Sequence, residues 1–133
     1  MGLEQFVYGY IALEEPYEDK AVIIEEGNKG DWIYVIIEGQ VKVKKRTSGD
    51  TVTLQTLREG EFFGEMALLE PGKWIRTASV IAEGPVRVGV LDTERLIKEY
   101  ETVSPRLRAL FRSMTMKLRE TTKKAVEMVE ESM

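Results

Sequence analysis

The chain has 133 residues, 43% hydrophobic and 32% charged, with a net charge of -4; it is long enough for one core and too short for two ordinary domains. No apolar run approaches the roughly 18 residues of a membrane span, and the acidic balance provides no broad positive field for a nucleic acid. With no cysteine and no histidine, disulfides, thiolate nucleophiles and cysteine-ligated metal are excluded, and the commonest general base and metal ligand are missing.

These absences leave catalysis open but remove its usual tools; a binding module without a metal is expected. No basic segment followed by an apolar run stands at the N-terminus, so a cytoplasmic protein is expected. In residues 1–20, "MGLEQFVYGYIALEEPYEDK", only 11–17 read as a strand, kept at a sheet edge by Pro16.

Residues 21–91 are short β-type runs. Ile33 to Ile37 is a continuous apolar run, and alternation follows at Val41/Val43, Val52/Leu54 and Val86/Val88/Val90. Gly27, Gly30, Gly39, Gly49 and Gly60 fall between the runs and predict turns with positive φ. Several short strands at this spacing indicate a β sandwich or jelly roll over about 11–91.

Within that region "FFGEMALLEPGKWIRTASV", residues 62–80, sets Glu65 and Arg76 in an apolar context. A strand at Phe62 and Phe63 breaks at Gly64 into "EMALL", which predicts one helical turn. Such a turn offers free backbone N–H groups and a partial positive charge to an anion, and Gly64 admits a close approach to the backbone. Arg76 opens the next β run, so two strand ends meet around one small anion. The arginine fork matches a phosphate through two charge-assisted hydrogen bonds. Glu65 would repel a phosphate and suits a sugar hydroxyl. A sugar phosphate fits both residues; an internal Glu65–Arg76 ion pair bracing the loop fits them equally.

After Leu91 the period changes. Residues 92–103 predict a short amphipathic helix with Asp92 or Thr93 as N-cap, and residues 104–131 a long helix with Ser104 as N-cap and Pro105 in its first position. The second helix runs about 27 residues, roughly 40 Å, more than this domain needs to cover itself. Leu107, Phe111, Met114, Leu118, Thr121, Ala125 and Met128 recur at spacings of four and three, a heptad row. It reads either as a helix laid along the β core or as a parallel self-association seam.

"FGEMALL" followed by "RTASV" resembles the phosphate-binding cassette of the cyclic nucleotide-binding domain family, and "VIIEEGNKGDWIYVIIEG" resembles that family's earlier glycine-punctuated hairpin. With the following helices the resemblance covers about residues 15–130. It implies a β jelly roll (double-stranded β-helix) flanked by helices, with cAMP favoured as ligand and cGMP close behind. It places Arg76 on the cyclic phosphate, Glu65 on the ribose 2'-hydroxyl, and the backbone N–H groups around Met66 and Ala67 on the remaining phosphate oxygen. Val43, Leu54 and Leu57 line the base or ribose, or are ordinary core.

The last third resembles the catabolite activator branch, whose long helix forms a dimer axis and contacts the purine. Leu118, Arg119, Glu120, Thr121 and Thr122 align with its leucine and paired hydroxyl residues, which implies that Thr121 and Thr122 serve the ligands of the two subunits. Thr77, after the arginine, resembles cGMP-activated kinases and several nucleotide-gated channels, where a hydroxyl meets the guanine amino group. Hydroxyl residues also stand there in cAMP-binding relatives. The chain departs from the family in Ile75, where proline is frequent, in Trp74 beside it, and in a short or missing N-terminal helix. It also lacks the recognition helix of the activators, so no direct nucleic-acid binding is expected. The expected partners are a cyclic nucleotide and a second copy of the chain. The alternative is a ligand-free dimerisation or partner-binding domain of the same fold. An enzyme of the double-stranded β-helix shape is the third reading, since metal-dependent members usually need histidine ligands.

Overall fold

The computed structural model describes residues 8–30, 32–64, 76 and 78–132. Six strands form one antiparallel sheet: β1 (Ile11–Tyr17), β2 (Val22–Ile24), β3 (Tyr34–Arg46), β4 (Thr51–Leu57), β5 (Phe62–Phe63) and β6 (Ser79–Leu91). The two long strands, β3 and β6, pair with each other along their length. Each carries two short strands on its far edge: β1 and β2 on β6, β5 and β4 on β3. This mostly antiparallel arrangement with two helices is the jelly-roll fold expected from the strand spacing. Pro16, which cannot donate to a ladder, lies in β1 at the sheet edge.

The apolar run at the start of β3 is continuous because both of its faces are covered. Tyr34 and Ile36 point into the main core with Ile24, Phe63, Val80, Val86, Val88 and Val90, and Tyr34 stacks on Phe63 at 5.0 Å. Ile33 and Val35 face the opposite way with Leu91, against Tyr10, Ile11 and Leu96.

Further along the same strand the core-facing positions are odd-numbered, Val41 with Val43 packed against it. Side chains alternate strictly in a strand, so the phase must switch between Ile36 and Val41. The register against β6 shifts twice within that interval, between Ile36 and Glu38 and between Glu38 and Gln40, and Gly39 there has a φ of +93°. A turn at Gly39 was the expectation; the structure replaces it with a bulge inside one 13-residue strand. Of the other four glycines read as turns, Gly27 and Gly60 take positive φ, while Gly30 and Gly49 do not.

Helix α1 (Thr93–Glu101) is capped by Asp92, which accepts from the Arg95 N–H at 3.1 Å. Helix α2 (Pro105–Ser132) is capped by Ser104, whose hydroxyl accepts from the Leu107 N–H at 3.2 Å. Both caps follow the sequence expectation. Tyr100 stacks on Phe111 at 6.4 Å and donates to the Arg108 carbonyl at 3.3 Å, which joins the end of α1 to the start of α2. Phe111 therefore turns toward its own domain and leaves the heptad row, while Leu110 is 53% exposed. Leu107, Met114, Leu118 and Met128 are exposed as well, so this row does not lie along the β core. No helix among the described residues is long and apolar enough to cross a membrane.

Candidate functional site

Arg76 stands just before β6, and its backbone is clipped to the turn after β2. Gly27 N–H donates to the Arg76 carbonyl and Arg76 N–H to the Asn28 carbonyl, both at 2.8 Å. The turn closes through Asn28 N–H on the Glu25 carbonyl at 3.1 Å, with Gly27 supplying the left-handed φ of +88°. The glycine-punctuated hairpin and the arginine, far apart in sequence, are thus one local structure.

The half-buried guanidinium is oriented by two backbone carbonyls. Nη2 donates to Trp32 O at 2.7 Å and Nη1 to Gly64 O at 3.3 Å. Gly64, at φ +83°, presses so close that a Cβ there would stand 2.7 Å from the Trp32 oxygen. Two strand ends do meet at this arginine: the end of β5 and the approach to β6.

A cleft of about 370 Å³ opens at the guanidinium, walled by Ile23, Ile24, Asn28, Lys29, Trp32 and Tyr34. Burial raises the Tyr34 hydroxyl above its ordinary pKa, and the Glu15 carboxylate adds to this, while the Arg76 cation opposes it. Tyr34 is therefore a protonated hydroxyl at neutral pH. The cleft combines a fixed planar cation and a lysine with the Glu25 carboxylate and two aromatic walls, so an anion attached to an organic group would be taken at the guanidinium.

A second cleft, of about 190 Å³, includes Glu25, Glu26, Lys44 and Arg46. Glu26 there is already occupied: it accepts from Lys45 Nζ and from the Arg46 N–H, each at 2.9 Å.

The other residues singled out from the sequence are distributed as follows. Leu57 is buried in the main core, Val43 packs against that core, and Leu54 is half-buried on β4. None of the three is among the residues walling the larger cleft. Thr121 is exposed on α2, and the side chain of Thr122 lies outside the described residues. So do Glu65, Met66, Ala67 and Thr77, together with Trp74, Ile75 and the helical turn expected at "EMALL". Asn28, Gly30 and Trp32 were not singled out as site residues, although they surround Arg76. The available signal was the pair of glycines in "GNKGDW", which carries no mark of the distant arginine.

The chain is 42% identical over 96 residues to a cGMP-dependent protein kinase of Caenorhabditis elegans, a match covering 68% of this chain and 12% of the kinase. It spans 11–12% of the length of the first curated relatives it matches. An EAL enzyme solved with cAMP and cyclic-di-GMP bound superposes with a TM-score of 0.77 and 28% identity, over 85% of this chain and 30% of that one. The Thermus thermophilus catabolite activator protein superposes with a TM-score of 0.67 and 27% identity, over 94% of this chain and 58% of that one. Residues 14–102 match the model of the cyclic nucleotide-binding domain, and the chain belongs to that family.

Proposed function

We propose that the chain is a regulatory sensor module, not an enzyme, which takes the phosphate of a cyclic nucleotide on Arg76. The observation that carries this reading is the Arg76 guanidinium, held by two carbonyls at a cleft in a chain matched to the family over residues 14–102. In this reading Glu65 accepts from the ribose 2'-hydroxyl, the N–H groups of Met66 and Ala67 complete the phosphate site, and Gly64 lets the ligand approach the backbone. Val43, Leu54 and Leu57, none of which lines the larger cleft, are in this reading the core behind it, not direct ligand contacts. Thr121 and Thr122 on α2 meet the purine, and the exposed row of α2 pairs with a second copy. Ligand binding then biases the helix pair because the two helix arrangements contact the nucleotide differently.

The long C-terminal helix favours cAMP, in likeness to the catabolite activator structure. cGMP is the second reading, favoured by Thr77 and by the 42% identity to a cGMP-dependent kinase.

Thermal unfolding of the wild type and Arg76→Ala with cAMP, cGMP and adenosine monophosphate tests the proposal. Ligand at 100 times its Kd adds about 2.7 kcal/mol, so a cyclic nucleotide should raise the wild-type Tm by several degrees and leave Arg76→Ala unmoved. The nucleotide with the larger shift at equal concentration identifies the signal. No shift with either cyclic nucleotide would leave a ligand-free dimerisation domain as the reading.

A further inference from the structure

Gly30 has an ordinary backbone conformation, absent from the glycines with positive φ, so conformational freedom does not explain why a glycine stands there. Its surroundings do. A Cβ at Gly30 would lie 2.9 Å from Arg76 Nε, 3.1 Å from Nη2 and 3.4 Å from Cζ. A Cβ at Gly64 would lie 3.0 Å from Nη1 of the same side chain. Two Cβ-free positions therefore press on the guanidinium, and the carbonyls of Trp32 and Gly64 take its two terminal nitrogens.

We propose that Gly30 is a positioning residue for ligand binding: the missing side chain leaves the space that sets where the Arg76 guanidinium lies. This rests on the assignment of the ligand phosphate to Arg76. The atoms that a new Cβ would meet belong to the far end of a flexible side chain, not to backbone. The chain can therefore fold around Gly30→Ala by moving the guanidinium, so the cost falls on ligand affinity and not on stability. A bidentate phosphate contact depends on the placement of both fork nitrogens, and a displaced fork loses it.

Gly84, in β6, is the contrasting position. It has a φ of +74° and nothing within 4 Å of its would-be Cβ, so Gly84→Ala should lower the Tm through backbone strain.

The experiment measures the Kd of cAMP and of cGMP by calorimetry, the Tm without ligand, and the Arg76 Nε–Hε resonance of the free protein, assigned by its loss in Arg76→Lys. For Gly30→Ala, Kd should rise about tenfold or more, Tm should stay within about 2 °C, and the Arg76 resonance should move. For Gly84→Ala, Tm should fall while Kd stays near the wild-type value. A Gly30→Ala protein that binds like wild type, or binds weakly with the resonance unmoved, would overturn the positioning role and leave the binding proposal intact. A wild type that binds neither nucleotide while Arg76 is correctly placed overturns the binding proposal, and the positioning role with it.

Discussion

Glu26 shows how one residue ties three strands together. Its backbone N–H donates to Ser79 Oγ at 2.9 Å at the start of β6, and its carboxylate takes the Arg46 N–H and Lys45 Nζ at the end of β3, all from the segment that follows β2. Burial pushes its pKa up, but the Arg46 N–H and the Lys45 cation outweigh burial and hold it below the ordinary 4.5. The folded state therefore binds this proton less readily than the unfolded chain. The stabilisation is fully present above the unfolded value and is lost as the pH falls through the folded one. The Tm difference between wild type and Glu26→Gln should be largest near neutral pH and should close as acidification passes below the ordinary glutamate range. A difference that stays constant from neutral to acid pH would show that the ionised carboxylate is not the source.

At the scale of elements, strand β3 works because the irregular stretch between Ile36 and Gln40, which includes Gly39, changes which face its side chains present. The bulge lets Tyr34 and Ile36 share one core with Val41, and it separates the half of β3 paired with β5 from the half paired with β4. A Cβ at Gly39 would stand 2.5 Å from the Pro85 carbonyl oxygen and 3.1 Å from a Val86 methyl. Unlike the contact at Gly30, this one is with backbone. The left-handed conformation alone costs a non-glycine residue about 1–3 kcal/mol, and the overlap adds to it. Gly39→Ala should lower the Tm by several degrees or more, measured without ligand. An unchanged melting curve would mean that β3 can run through this point without the bulge.

For the whole molecule, the decisive feature is the exposed row on α2. Leu107, Leu110, Met114 and Met128 are 42%, 53%, 55% and 68% exposed, a contiguous apolar stripe of the kind that marks an interaction surface. Phe111, by contrast, stacks on Tyr100 inside its own domain. These two faces of one helix should respond differently to substitution. In sedimentation, Met114→Glu should shift the chain to monomer while its melting at low concentration stays near that of wild type. Phe111→Ala should lower the stability by on the order of 2 kcal/mol, and with it the Tm at every concentration, and leave self-association in place. Wild-type chain that remains monomeric at high concentration would remove the second copy from the proposal.

The strands, both helices and their caps were legible in the sequence because the signals are local. Alternation along β4 and β6 reports burial on one face, and Asp92 and Ser104 each reach an N–H three residues on. The arginine was legible for a chemical reason, since its planar fork suits a phosphate wherever the chain places it. Other features were settled only by contacts between distant segments. The heptad row could not show that Phe111 leaves it, because Tyr100 on the preceding helix draws that ring inward. The glycine at 39 could not be told from a turn without Pro85 opposite it. Nor could Gly30 be linked to Arg76, since nothing in "GNKGDW" records a guanidinium brought against it by the pairing of β2 with β6. Periodicity and caps determined the β architecture and the two helices, because both follow from local burial and residue type; tertiary structure decided which glycine lies against Arg76 and which helix face stays open, because only folding brings those atoms within a few ångströms of each other.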